Sequence, residues 1–204
     1  MIQIDRVFHS SVRSSAILAA LLLFLSSGCS SRIRTLEQLA SVLSDQSAAS
    51  TVSALVKISG DSQTETVAQA LGAPIVVEVR NALGQPLSGT IVTFSVTAGG
   101  GSLSIANVLT DSSGHAQTTW TLGTLASVIH RATASAGAAS VTFLAYGTAA
   151  APASLVKISG DGQSAIAGTS LPDSIVVRLE DAYGNPISGE TLGFSTSSGG
   201  GSVS

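Results

Sequence analysis

Few side chains in this 204-residue chain can do chemistry: one cysteine, Cys29, three histidines and 12 carboxylates. A single thiol cannot close an intramolecular disulfide, so its surroundings decide its use. Arg6 and Arg13 precede an uncharged apolar run from Ala16 to Leu25, and Ser26-Ser27-Gly28-Cys29 follows. A positive segment, a short apolar segment and a small-residue cleavage site, in that order, make an export signal over residues 1–28. The run is shorter than the roughly 20 apolar residues that a membrane-spanning helix needs. Two fates stay open for Cys29: a bystander beside an ordinary cleavage site, or the point of a modification that explains a lone thiol in an exported chain. The other candidates are scattered. His115 and His130 lie fifteen apart without a cysteine partner, which is not zinc spacing. Asp61, Asp111, Asp161, Asp173 and Asp181 stand singly at expected turns, where a carboxylate bonds its own backbone, and form no alternating calcium loop. Weak calcium binding by carboxylates between domains stays open.

Hydrolase and nucleotide signatures are missing. The chain has no G-x-S-x-G elbow, and its glycine runs lack the Lys-Ser/Thr of a phosphate loop. Gly99 to Gly101 offer amides to an anion, but no helix start follows them, which favours a corner between strands. Trp120 offers a sugar-stacking face, yet its register beside Leu122 points it into a core. No catalytic, cofactor-binding or metal residue is therefore predicted, and the chain is not expected to be an enzyme. The only nominated site is lipidation at Cys29, because Cys29 after Gly28 resembles the lipobox of bacterial lipoproteins. In that family the cysteine becomes the lipidated first residue of the mature chain. The family prefers Leu three places before the cysteine, where this chain has Ser26 and carries Leu25 one place further back.

These residues must be held by strands. Only 10% of the chain is charged and 4% aromatic, and Gly, Ser, Ala, Thr and Val dominate, a mixture that favours sheets and turns. The formal charge of −3 comes with no basic block, which argues against nucleic acid as a partner. Removing residues 1–28 takes away Arg6, Arg13 and Asp5 and leaves 7 basic and 11 acidic residues, a formal charge of −4. Residues 29–51 read as a tether, with a short helix-like spacing through Leu36, Leu39, Val42 and Leu43 that is equally compatible with a solvated linker.

An internal repeat organises the remainder. Leu55-Val56-Lys57-Ile58-Ser59-Gly60-Asp61 returns as Leu155-Val156-Lys157-Ile158-Ser159-Gly160-Asp161, and Gly99-Gly100-Gly101-Ser102 returns as Gly199-Gly200-Gly201-Ser202. About half of residues 55–104 recur in 155–204 at an offset of 100. So long a period marks an array of whole domains. The expected division is 52–148 for the first repeat, 149–152 for a linker and 153–204 for an incomplete second repeat. Alternation places Val56 and Ile58 inward with Lys57 outward, then Ile75, Val77 and Val79 inward with Glu78 and Arg80 outward. Val92, Phe94 and Val96 are inward, as are Ala116, Thr118, Trp120 and Leu122, then Ala132 and Ala134, and Val141, Phe143 and Ala145. Glu78 and Arg80 become Arg178 and Glu180, a reversal of charge expected of a solvated face. Seven or so short strands with regularly spaced turns predict an all-β fold of tandem immunoglobulin-like β-sandwich repeats. All ionisable groups are expected outward or at turns, with no buried polar constellation.

Three stretches carry a further resemblance: Ser159-Gly160-Asp161-Gly162-Gln163, Asp181-Ala182-Tyr183-Gly184-Asn185-Pro186-Ile187-Ser188-Gly189, and Phe194-Ser195 with Gly199-Gly200-Gly201-Ser202. Together they resemble the group 1 bacterial immunoglobulin-like domain, the repeat of invasin and intimin. The resemblance covers about 52–148 whole and 152–204 as a first half. It implies an extracellular β-sandwich array, in which internal domains act as spacers and a distal module binds the receptor. The family's outer-membrane β-barrel anchor has no counterpart here, and the lipid anchor stands in its place. The resulting expectation is a non-catalytic, lipid-anchored surface module at the outer membrane, facing the exterior or the periplasm. Its partners would be the membrane, neighbouring immunoglobulin-like repeats and an extracellular or host-cell protein or glycan. The alternative is the accessory part of a secreted polysaccharide- or peptidoglycan-acting enzyme whose catalytic domain lies beyond residue 204.

Overall fold

A computed structural model describes residues 32–203. One helix, α1 (Arg32–Ser50), opens it, so the helical spacing rather than the solvated linker holds for this segment. Its Val42 and Leu43 remain about half exposed. Among the described residues no helix is long and apolar enough to cross a membrane.

Every strand falls within the unit of residues 48–204. In order they are β1 (Val52–Ser59), β2 (Gln63–Thr66), β3 (Ile75–Asn81), β4 (Ile91–Ala98), β5 (Gly101–Leu103), β6 (Asn107–Leu109), β7 (His115–Thr118), β8 (Trp120–Leu122), β9 (Ile129–Ala136) and β10 (Ala139–Thr148). The second copy adds β11 (Pro152–Ser159) and β12 (Val176–Asp181). A three-stranded sheet, β1-β3-β7, faces a five-stranded sheet, β2-β10-β9-β4-β6, and β5 and β8 form a short antiparallel pair of their own. The fold is an all-β sandwich of immunoglobulin type, with antiparallel pairing except where β2 runs parallel to β10.

Period-two alternation builds the core, because each strand sends alternate side chains to the opposite sheet. Ile75, Val77 and Val79 of β3 are fully buried, and they meet Phe94, Ala132, Ala134, Phe143 and Ala145 from the other sheet. Trp120 and Leu122 of β8 are buried in the same core. Alanines at the centre of β9 leave room for the two phenylalanines and the indole, so large and small residues interlock.

β1 departs from the expected register. Leu55 is the buried residue, Val56 is half-buried and Ile58 is 46% exposed. Pairing of β1 with β3 shifts between Val52 and Ala54 and again between Lys57 and Ser59. Each bulge adds one residue to one strand and turns the following side chains to the other face. Lys57 consequently lies on the sandwich side, its Nζ 5.5 Å from the centre of the Phe143 ring and 2.9 Å from the Thr142 carbonyl to which it donates.

The hairpin β11-β12 repeats β1-β3 residue for residue. Leu155 pairs with Leu179 as Leu55 pairs with Val79, and the two register shifts fall at the same places. The second copy keeps this register without a facing sheet among the described residues.

Candidate functional site

Four of the five turn aspartates, Asp61, Asp111, Asp161 and Asp181, hold backbone amides with their carboxylates. Asp111 Oδ1 accepts from the amides of Ser113 and His115 at 2.8 and 2.9 Å, and these bonds hold its carboxyl below the usual range. Asp61 accepts from Lys57 Nζ and from the Leu144 amide, tying the start of β2 to β10. Burial pushes the Asp61 carboxyl up, but Lys57 and the backbone donors outweigh it and bring it down. Asp173 donates its amide to Gln163 Oε1. Among the described residues no three histidines, cysteines or carboxylates gather as metal ligands would.

Gly99 to Gly101 form the corner that the sequence favours. All three have positive φ, and a Cβ on Gly101 would stand 2.2 Å from the Thr121 carbonyl oxygen. Chain crossing at the β4-β5 corner, rather than anion cradling, fixes glycine here. Trp120 is fully buried, as its register required. Cys29 lies outside the described residues.

Two expectations about polar groups are overturned. Glu78 was expected in water but is only 9% exposed. It accepts from Arg80 Nη2 at 2.8 Å and lies across from His115 in the adjacent strand. The Arg80 bond, with the Arg80 and His115 charges, holds its carboxyl down against burial. Arg178 and Glu180 make the same pair with the residues exchanged. The sign reversal thus preserves an in-strand ion pair instead of reporting an indifferent face.

His130 was expected outward or in a turn, and is completely buried. It continues the inward series of Ala132, Ala134 and Ala136, which is the signal that identifies it. Its Nε2 is 2.9 Å from the Leu125 carbonyl, and its Nδ1 has no partner. The ring fits because Gly99 and Gly147 have no Cβ: one on Gly99 would lie 2.4 Å from Nδ1. Buried polar groups are normally hydrogen-bonded, and here the Leu125 bond braces the loop between β8 and β9.

That loop meets the second copy. Asp181 and Asn185, 2% and 4% exposed, close the turn after β12. Asp181 Oδ1 accepts from the Tyr183 and Asn185 amides, while Asn185 Nδ2 donates to Asp181 Oδ2 at 2.8 Å. Asn185 then reaches across: Nδ2 donates to the Thr124 carbonyl at 2.7 Å, and Oδ1 accepts from the Ala126 amide at 2.9 Å. Asp181 Oδ2 also accepts from the Ala150 amide in the connecting segment. Burial pushes the Asp181 carboxyl up, but Asn185 and the amides of Ala150, Asn185 and Tyr183 overcome it and lower the carboxyl to about 2. A shallow cleft of about 430 Å³ lies beside this contact, lined in part by Ser127, Gly147, Ala149 and Pro186, with no ionisable lining residue.

No family model matches this chain. No curated protein matches it either. Among solved structures, the C-terminal 282-residue fragment of intimin in complex with the translocated intimin receptor (Tir) intimin-binding domain is 22% identical, with a TM-score of 0.36, over 53% of this chain and 36% of that one. InvD of Yersinia pseudotuberculosis is 15% identical, with a TM-score of 0.43, over 66% and 42%. Domains 4–9 of the surface layer protein SbsC are 17% identical, with a TM-score of 0.38, over 67% and 21%. The chain spans less than half the length of each.

Proposed function

We propose that this chain is a non-catalytic, lipid-anchored module of the bacterial outer membrane, whose immunoglobulin-like repeats space or present a contact surface for an extracellular protein or glycan. The supporting observation is the employment of its polar groups. Asp61, Asp111, Asp181 and Gln163 each fasten backbone to backbone, and Glu78 and Arg80 neutralise one another. Catalysis needs an acid, base or nucleophile facing a substrate-sized enclosure beside an orienting partner. The fully buried imidazole instead supports a loop with one nitrogen and is closed in by backbone. A module whose polar side chains secure its own turns supplies geometry, and the resemblance of residues 159–163, 181–189 and 194–202 to invasin-type repeats agrees with that role.

Attachment rests on Cys29, with residues 1–28 as the export signal, 29–51 as the tether, and repeats at 52–148 and 153–204 joined by 149–152. Replacing Cys29→Ala should release the protein from membrane fractions, and intact mass spectrometry of the wild-type chain should show an acylated residue 29. An unmodified Cys29, or membrane association unchanged by the replacement, would overturn the anchor. Hydrolysis of a glycan or peptidoglycan by the purified chain would overturn the non-catalytic reading.

A further inference from the structure

The geometry points to the Asp181–Asn185 turn as a docking key, which fixes the second repeat on the end of the first by gripping the β8-β9 loop and the connecting segment. Its bonds run in two directions. Asp181 Oδ1 and the Asn185 Nδ2–Asp181 Oδ2 bond shape the turn, while Asp181 Oδ2 and both polar atoms of the Asn185 side chain also reach outward to Ala150, Thr124 and Ala126. A side chain needed only for the turn would not require the outward set. The outward partners are backbone groups, so the grip depends on the shape of the preceding repeat's end more than on its side chains. His130 holds that shape from behind through the Leu125 carbonyl, which lies between the two gripped residues. The partner this key fits is therefore the end of another sandwich of the same kind.

The first copy supplies the control. Its turn carries Asn81 and Gln85 in place of Asp181 and Asn185, and Asn81 Oδ1 still accepts from the Leu83 and Gln85 amides. Outward, however, Asn81 Nδ2 donates to the Ala49 carbonyl, and the Ala82 amide donates to the Ala48 carbonyl. The turn is the same, but a donor now meets carbonyls where Asp181 offers an acceptor to an amide. The first key is cut for the segment before it, and the second for a sandwich. This joint is independent of what the outer surface binds.

The test grafts one key onto the other. In the isotopically labelled full chain, Asp181→Asn together with Asn185→Gln should keep the turn, as the first copy shows, and remove the grip. Residual dipolar couplings from β3 and β12 should fit one common alignment in the parent and two in the graft. The Ala126 and Ala150 amides should lose hydrogen-exchange protection while the Tyr183 amide keeps it. A second variant, Asn185→Asp, is isosteric and sets an oxygen against both the Thr124 carbonyl and Asp181 Oδ2, and should give the same two losses. Separate alignments already present in the parent, or one alignment and protected joint amides retained in both variants, would overturn the proposal.

Discussion

At the scale of single residues, backbone conformation and space can be separated. Gly84 and Gly101 both have positive φ, but a Cβ on Gly84 would meet nothing within 4 Å, whereas on Gly101 it would collide with the Thr121 carbonyl. Gly84→Ala should cost only the strain of a left-handed side chain, about 1–2 kcal/mol. Gly101→Ala must also displace a strand, and should cost about 3 kcal/mol or more. Urea unfolding of the two variants checks this, and equal losses would contradict it. Asp181 gives a prediction in pH. Its folded-state carboxyl, near 2, lies below its ordinary value of 3.8. A depressed carboxyl contributes stability that is present above the unfolded pKa and is lost as pH falls through the folded one. The grip on Ala150 should hold above about pH 4 and fail toward pH 2. The Ala150 amide shift should titrate with its midpoint near the lower value, and a midpoint near 3.8 would show that the carboxylate lacks these partners.

At the scale of strands, the register of β1 is the sharpest test. Leu55 is 8% exposed and Ile58 is 46% exposed. Leu55→Ala should therefore cost about 2–3 kcal/mol, toward the lower end for a buried leucine at a sheet edge. Ile58→Ser should stay within about 0.5 kcal/mol. The phase expected from the sequence, with Val56 and Ile58 inward, reverses that order, so two denaturation curves distinguish the registers. The inward sets of β3, β4, β7, β8 and β10 were legible because each alternates without interruption and ends in a turn. β1 was not, since its two bulges are produced by pairing with β3, and nothing in Leu-Val-Lys-Ile-Ser marks where an extra residue enters. His130 was hidden for a different reason. Its phase with Ala132 and Ala134 assigns it inward, but burying an imidazole is acceptable only if residues outside its own strand provide a partner and space. Those are Leu125, Gly99 and Gly147, which the fold brings together. Asp181 and Asn185 were readable as turn residues, while their outward bonds depend on Thr124 and Ala126, about 60 residues earlier.

At the scale of the whole molecule, the two copies measure what a facing sheet contributes. Leu55, Ile75 and Phe94 are 8%, 0% and 1% exposed, and their counterparts Leu155, Ile175 and Phe194 are 58%, 49% and 47% exposed. The residue types are identical, so the difference is the cover supplied by β4, β9 and β10. The ion pairs agree: side chains of Lys57 and Asp61 are 36% and 34% exposed, against 70% and 71% for Lys157 and Asp161. In the first copy β10 provides the Thr142 carbonyl and Leu144 amide that complete this cluster. Fixing backbone costs about 1–2 kcal/mol per residue, while fully burying a large apolar side chain returns about 1.5–3 kcal/mol. A hairpin with its apolar face half in water cannot offset the first with the second. Isolated 52–148 should therefore unfold in one cooperative transition, and isolated 153–204 should show none. Fusing residues 105–148 after 153–204 would supply the remaining strands in the order the first copy uses, against the same Lys-Asp cluster and the same inward series. That chimera should recover a cooperative transition and bury Phe194. A cooperative transition in 153–204 alone would show that the hairpin needs no cover, and a chimera that stayed uncooperative would show that the two copies do not share one packing plan.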